Sequence, residues 1–118
     1  IEGVAYIDGG MHSPTNADVL LDDPPDLVVI VSPMSIGPTR RPRVDLGPRL
    51  LATRQLATEV RKLRRAGAEV VTVQPTASDL DAMGLNPMRG HRLEEIVDSA
   101  SASVTARVKR QPNLLSPR

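Results

Sequence analysis

Residues 27–31 read LVVIV, an unbroken run of apolar and mostly β-branched side chains. Alternation with polar residues would leave one face in water. Its absence predicts a strand covered on both faces, as in the middle of a parallel sheet. Asp22-Asp23-Pro24-Pro25 precedes the run and Ser32-Pro33 follows it, and these turn formers bound it. A second run, EVVTV at 69–73, stops at Pro75. Between the two, the pattern from about Leu50 to Ala66 is helical. Leu56, Val60 and Leu63 fall at i, i+4 and i+7, with Ala52 and Ala66 extending the stripe. Arg61, Lys62, Arg64 and Arg65 load its last turns, where positive charge complements the helix dipole, and Gly67 ends it. Strand, helix, strand in that order predicts a parallel pair joined by a helical crossover.

Further elements extend this unit on both sides. Val4–Ile7 reads as a short strand that stops at Asp8-Gly9-Gly10. Ser13-Pro14-Thr15-Asn16 carries helix-start chemistry, with Ser13 as cap and Pro14 in the first turn, ahead of Ala17, Val19, Leu20 and Leu21. Ser32 to Pro48 is a long loop rich in Pro, Gly and Arg, of a length that is usually functional or mobile. Thr76 or Ser78 caps a short helix toward Met83-Gly84. Residues 92–110 form a second long helix with Leu93, Ile96, Val97, Ala100, Val104 and Val108 on one apolar face. The expected fold class is α/β with a mostly parallel sheet over residues 1–110, followed by a flexible tail at 111–118. Three strands make a thin sheet. The pattern therefore predicts further strands outside this sequence.

Composition bounds the function. The chain has 118 residues, enough for one domain. Tyr6 is its one aromatic residue, so any core is built from Leu, Val, Ile, Ala and Met. A net charge of +1 gives no field for nucleic acid, and the lack of aromatics removes stacking platforms for single strands. There is no cysteine, which excludes disulfides, thiol catalysis and thiolate metal sites. No apolar run approaches the ~20 residues that span a bilayer. The expected location is the cytoplasm or the periphery of a membrane.

Asp8 is the candidate of most interest. At the carboxyl end of a strand in an open α/β sheet, ligands and catalytic groups gather. Gly9 and Gly10 let the chain turn sharply and expose the carboxylate, which can then act as a general base. The plainer alternative is a turn in which Asp8 bonds its own backbone two residues on. Asn16 and His12 lie within reach in sequence as loop support. His12 lacks the serine elbow that a Ser-His-Asp triad needs, and His91 has no partner at metal-ligand spacing. Asp18, Asp22, Asp23 and Asp26 crowd one region but lack the spacing and central glycine of a calcium loop. No metal site is expected. Ser13, Ser32 and Ser35 read as caps or turn residues. Arg40, Arg41 and Arg43, with the Arg61–Arg65 group, can meet anionic head groups or simply be solvated. Met34 and Ile36 are either pocket lining or core.

The stretch YIDGGMHSPTNADVL, then DLVVIVSPMS and AMGLNPM, resembles the C-terminal part of bacterial patatin-like phospholipases over roughly residues 3–92. That resemblance implies a three-layer α/β/α fold and acyl-ester hydrolysis by a Ser–Asp dyad. Asp8 would be the dyad aspartate in a D-G-G motif with Gly9 and Gly10, and neither metal nor organic cofactor would be needed. The substrate would be a lipid or another acyl ester. The family's serine lies in a G-x-S-x-G elbow and its oxyanion donors in a glycine-rich loop. Neither motif occurs here: no two of the eight glycines stand four apart around a serine, and Gly9-Gly10 is the one adjacent pair. The resemblance therefore predicts that an N-terminal part, outside this sequence, supplies the nucleophile, the oxyanion hole and the remaining strands. A non-catalytic binding or regulatory module of the same fold is the competing expectation.

Overall fold

The structure, a computed structural model, describes residues 2–37, 47–84 and 92–110. The loop arginines Arg40, Arg41 and Arg43, Asn86-Pro87, His91 and the tail 111–118 lie outside the described residues.

Two strands, β1 (Leu27–Val31) and β2 (Glu69–Val73), pair in parallel with Val28 opposite Val70 and Ile30 opposite Thr72. Backbone bonds continue the ladder beyond both ends, from Glu69 N–H to Asp26 O and from Ser32 N–H to Val73 O. Helix α1 (Gly47–Arg65) joins them. Because it returns the chain from the end of β1 to the start of β2, it runs antiparallel to both strands. Its predicted stripe is the buried one: Ala52, Leu56, Val60 and Leu63 face inward. Leu63 is wholly buried and clusters with Val28, Ile30, Val70, Ala68 and Ala17.

The end of α1 follows from Gly67. At φ +100° it occupies backbone space that a Cβ disfavours. That conformation lets Ala68 N–H reach Leu63 O and Gly67 N–H reach Arg64 O, which satisfies carbonyls the helix would otherwise leave unpaired. Ala68 and Leu63 share the core cluster, so the cap also fixes how the chain enters β2.

The second layer of helices is less closely held. Helix α2 (Ala77–Met83) begins at a reciprocal cap, with Asp79 N–H donating to Thr76 Oγ1 and Thr76 N–H donating to Asp79 Oδ2. Helix α3 (Leu93–Arg110) packs on α2, and none of its residues is buried. The apolar face expected on α3 exists as a stripe, yet Leu93, Val97, Val104 and Val108 remain exposed.

Two expectations are corrected. Residues 4–7 form no strand: they are extended, exposed chain, with Tyr6 and Ile7 largely in solvent. An apolar tetrapeptide specifies a strand only if a neighbouring strand takes its backbone groups, and here none does among the described residues. Likewise β1 is covered on one face. Val28 and Ile30 are buried under α1, whereas Val29 is 47% and Val31 66% exposed. The result is a mixed α/β arrangement around a two-stranded parallel sheet. Among the described residues no helix is long and apolar enough to cross a membrane.

Candidate functional site

The segment from Asp8 to Asp18 is irregular in secondary structure and densely hydrogen-bonded. Asp8 caps a single 3-10 turn, Gly9–Met11, by accepting Gly10 N–H on Oδ1 at 2.8 Å. This is the local turn that the sequence offered as the plainer reading. Oδ2 of Asp8 takes no hydrogen bond from the described residues, and the residue is exposed. Gly9 is tightly placed, because a Cβ there would lie 3.2 Å from Asn16 Nδ2. At Gly10 the corresponding neighbour is the Asp8 carboxylate itself, again at 3.2 Å.

Asn16 organises the turn from the far side. It adopts the left-handed conformation at φ +47°, ψ +32°, which asparagine tolerates better than most residues. From there its Nδ2 donates to Gly9 O at 3.0 Å and to Ser13 O. It also precedes the second 3-10 turn, Ala17–Leu21, as its cap residue, without a side-chain cap bond. The expected Ser13 cap is thus displaced by three residues. Ser13 is buried and its Oγ accepts Thr15 N–H and Asn16 N–H, forming the turn before that helix rather than capping it.

Helix α1 fixes where this loop sits. Gln55 Nε2 donates to His12 O at 3.2 Å, and Glu59, 4% exposed, accepts the Thr15 hydroxyl and Ala17 N–H. Glu59 lies one turn further along α1 than Gln55. Since α1 runs antiparallel to the strands, passing from Ala17 back to His12 moves toward their carboxyl ends. His12 is therefore the part of this loop nearest those ends, and the Asp8 turn is joined to it through the bonds from His12 N–H and Ser13 N–H to Gly9 O.

His12 meets Asp18 rather than Asp8, with Nε2 to Oδ2 at 2.9 Å. That hydrogen bond is the main influence on the Asp18 carboxyl. It outweighs partial burial, which acts in the opposite sense, and holds the group below its ordinary range. Asp18 Oδ1 is buried and has no hydrogen-bond partner among the described residues.

The candidate serines do not make a nucleophile within the described chain. Ser35 is fully buried, donates to Ser32 O and accepts from Gln74 Nε2. Ser32 is buried at the end of β1, and its Oγ has no hydrogen-bond partner among the described residues. Ser32 to Gly37 is instead a strapped loop. Ile36 N–H donates to Thr53 Oγ1, Arg49 to Pro33 O, and Gly37 N–H to Pro75 O. Of the two residues expected as pocket or core, Ile36 is buried and Met34 is exposed. A groove of about 660 Å³ opens between the ends of the strands and helices α2 and α3, lined in part by Val31, Val73, Met83 and Val104. Neither Asp8 nor Met34 lines it. Among the described residues no group of three or more His, Asp or Glu is arranged to hold a metal ion.

Two residues that organise the molecule were not foreseen. One is Glu59. The other is Asp79, which is buried and accepts Ser99 and Ser103 from α3 as well as both donors of Thr76. The sequence carried a signal for each: Glu59 interrupts the apolar stripe of α1 between Leu56 and Val60, and Asp79 stands three residues after a cap. No family model, no curated protein and no solved structure matches this chain.

Proposed function

We propose that this chain is the C-terminal portion of a patatin-like acyl hydrolase, in which Asp8 is the base of a Ser–Asp dyad. The observation that carries the reading is the Asp8-Gly9-Gly10 turn itself. It is exposed and braced by Asn16, and the loop that carries it is tied to α1 through Gln55 and His12, with Oδ2 of Asp8 unengaged by the described residues. The resemblance of residues 3–92 to the family supplies the chemistry. The half-covered sheet agrees with a larger three-layer α/β/α fold, since Val29 and Val31 leave a face of β1 for further structure.

In that reading an N-terminal part of the protein brings a G-x-S-x-G serine beside Asp8. Serine is a poor nucleophile until a base takes its proton. Asp8 Oδ2 accepts that proton as serine Oγ attacks the carbonyl of a lipid or other acyl ester. The tetrahedral oxyanion is held by backbone N–H groups of the same N-terminal part. Collapse expels the alcohol, which takes the proton from Asp8. Water, deprotonated by Asp8, then attacks the acyl-serine, and the departing serine Oγ takes that proton back from Asp8 as the acid is released. The Arg61–Arg65 group favours contact with an anionic lipid surface, at the membrane periphery or in the cytoplasm.

A second reading, a non-catalytic module of the same fold, is favoured by one observation: Asp8 already serves as the cap of its own turn. A fluorophosphonate probe separates the two in protein isolated together with whatever polypeptide accompanies it. Covalent label on a serine of a G-x-S-x-G segment is the expected result. Folded, complete material that takes no label favours the module.

A further inference from the structure

Glu59 is an anomaly in its own helix. It sits on the buried stripe of α1 between Leu56 and Val60, is 4% exposed, and has no cation of the described residues within ion-pair distance. A polar group placed there without compensation is costly, and an apolar side chain of similar size would normally serve the core at least as well. Its compensation comes from one place. Oε2 accepts the Thr15 hydroxyl at 2.5 Å and Ala17 N–H at 3.3 Å, and both donors belong to the loop that carries Asp8.

The connection from those donors to Asp8 is short and continuous. Between Thr15 and Ala17 lies Asn16, whose left-handed backbone aims Nδ2 at Gly9 O. Gly9 O also accepts His12 N–H and Ser13 N–H, so three donors converge on the first glycine of the motif. The next residue, Gly10, gives its N–H to Asp8 Oδ1. The path alternates hydrogen bonds with short stretches of backbone, and of those bonds only the one from Ala17 N–H to Glu59 is buried. The buried end is the fixed end.

From this geometry we infer that Glu59 is the positioning residue of the Asp8-Gly9-Gly10 turn: it anchors residues 15–17 to α1 and through Asn16 sets where the Asp8 carboxylate stands. The inference rests on the proposed role of Asp8 for its functional meaning, but its structural content is independent of that role. Glu59 touches neither substrate nor the reacting atoms.

The test has two arms. Amide hydrogen exchange of the chain is compared for wild type, Glu59→Gln and Glu59→Leu. Gln retains a carbonyl acceptor and is expected to keep most of the protection, whereas Leu removes it. In Glu59→Leu the amides of Gly10, His12, Ser13, Asn16 and Ala17 are expected to exchange about tenfold faster or more, with β1 and β2 unchanged. Equal exchange in the loop overturns the inference. So does loss of protection spread evenly over the strands, which would mark Glu59 as a general core residue. In the second arm, ester hydrolysis by the complete protein is expected to lose kcat in Glu59→Leu with little change in KM, and to recover in Glu59→Gln. Full kcat in a Glu59→Leu protein whose Asp8→Asn counterpart is inactive overturns the positioning role alone. Activity that survives Asp8→Asn overturns the dyad and leaves the exchange result standing.

Discussion

Replacing Asp79 with alanine removes the acceptor on which two helices converge. Its Oδ1 accepts Ser99 Oγ–H at 2.6 Å and Ser103 Oγ–H at 3.0 Å from α3, and its Oδ2 accepts Thr76 N–H at 2.8 Å and Thr76 Oγ1–H at 2.7 Å at the start of α2. Burial is the largest single influence on this carboxyl and pushes its pKa up. The bonds from Ser99, the Thr76 backbone, the Thr76 hydroxyl and Ser103 together outweigh it, and the net direction is down. Hydrogen bonds to a charged acceptor contribute about 1.5–3 kcal/mol each, but four donors sharing one carboxylate do not add independently. Allowing for the opposing cost of burial, Asp79→Ala is expected to destabilise the α2–α3 pair by roughly 2–4 kcal/mol. Because α3 buries no residue of its own, it has little else to hold it, and a helix in a protein draws most of its stability from packing rather than from propensity. Amide exchange should therefore accelerate over 93–110 and at the start of α2, while α1, β1 and β2 keep their protection. The depressed pKa adds a direction in pH. The contribution is present above the unfolded carboxylate value of about 3.9 and is lost as pH falls through the lower folded value, so acid should undock α3 in the wild type too. Undiminished α3 protection in Asp79→Ala would refute the reasoning, as would uniform unfolding of the whole chain.

Two further outcomes are expected. Gly37→Ala places a Cβ 2.8 Å from Pro75 O, the carbonyl that Gly37 N–H itself reaches, and should lower stability by about 1–3 kcal/mol. An unchanged urea midpoint would contradict the strap between the 32–37 loop and Pro75, just after β2. His12→Ala should raise the Asp18 pKa toward the ordinary carboxylate range, since the His12 hydrogen bond is what chiefly lowers it. The side-chain carboxyl carbon of Asp18, followed by NMR titration, reads this directly. Asp18's share of stability is present above the unfolded value and disappears as pH falls through the folded one, so mutant and wild type should converge in acid.

The central unit was legible because its signals are local. The runs at 27–31 and 69–73 coincide with the strands, and the i, i+4, i+7 stripe of Leu56, Val60 and Leu63 is the buried face of α1. Thr76 began a helix and Gly67 ended one, as their chemistry required. What failed was long-range. Val4–Ile7 has strand composition, but composition does not supply a neighbour, and the same limit left Val29 and Val31 uncovered. At the site, the turn at Asp8 and the support from Asn16 could be read from residue types. The pairing of His12 with Asp18 and the anchoring by Glu59 could not, because each depends on how the loop lies on α1.

The account turns on Asp8 as a base, and the most direct measurement is ester hydrolysis by the complete protein carrying Asp8→Asn, with Asp22→Asn as the control. Asparagine keeps an oxygen to accept Gly10 N–H, so the turn should survive while the proton acceptor is lost. Loss of general-base catalysis of this kind lowers rates by at least about 10²–10⁴-fold. The account predicts that loss in Asp8→Asn and near wild-type hydrolysis in Asp22→Asn. Hydrolysis by Asp8→Asn at the wild-type rate would contradict it.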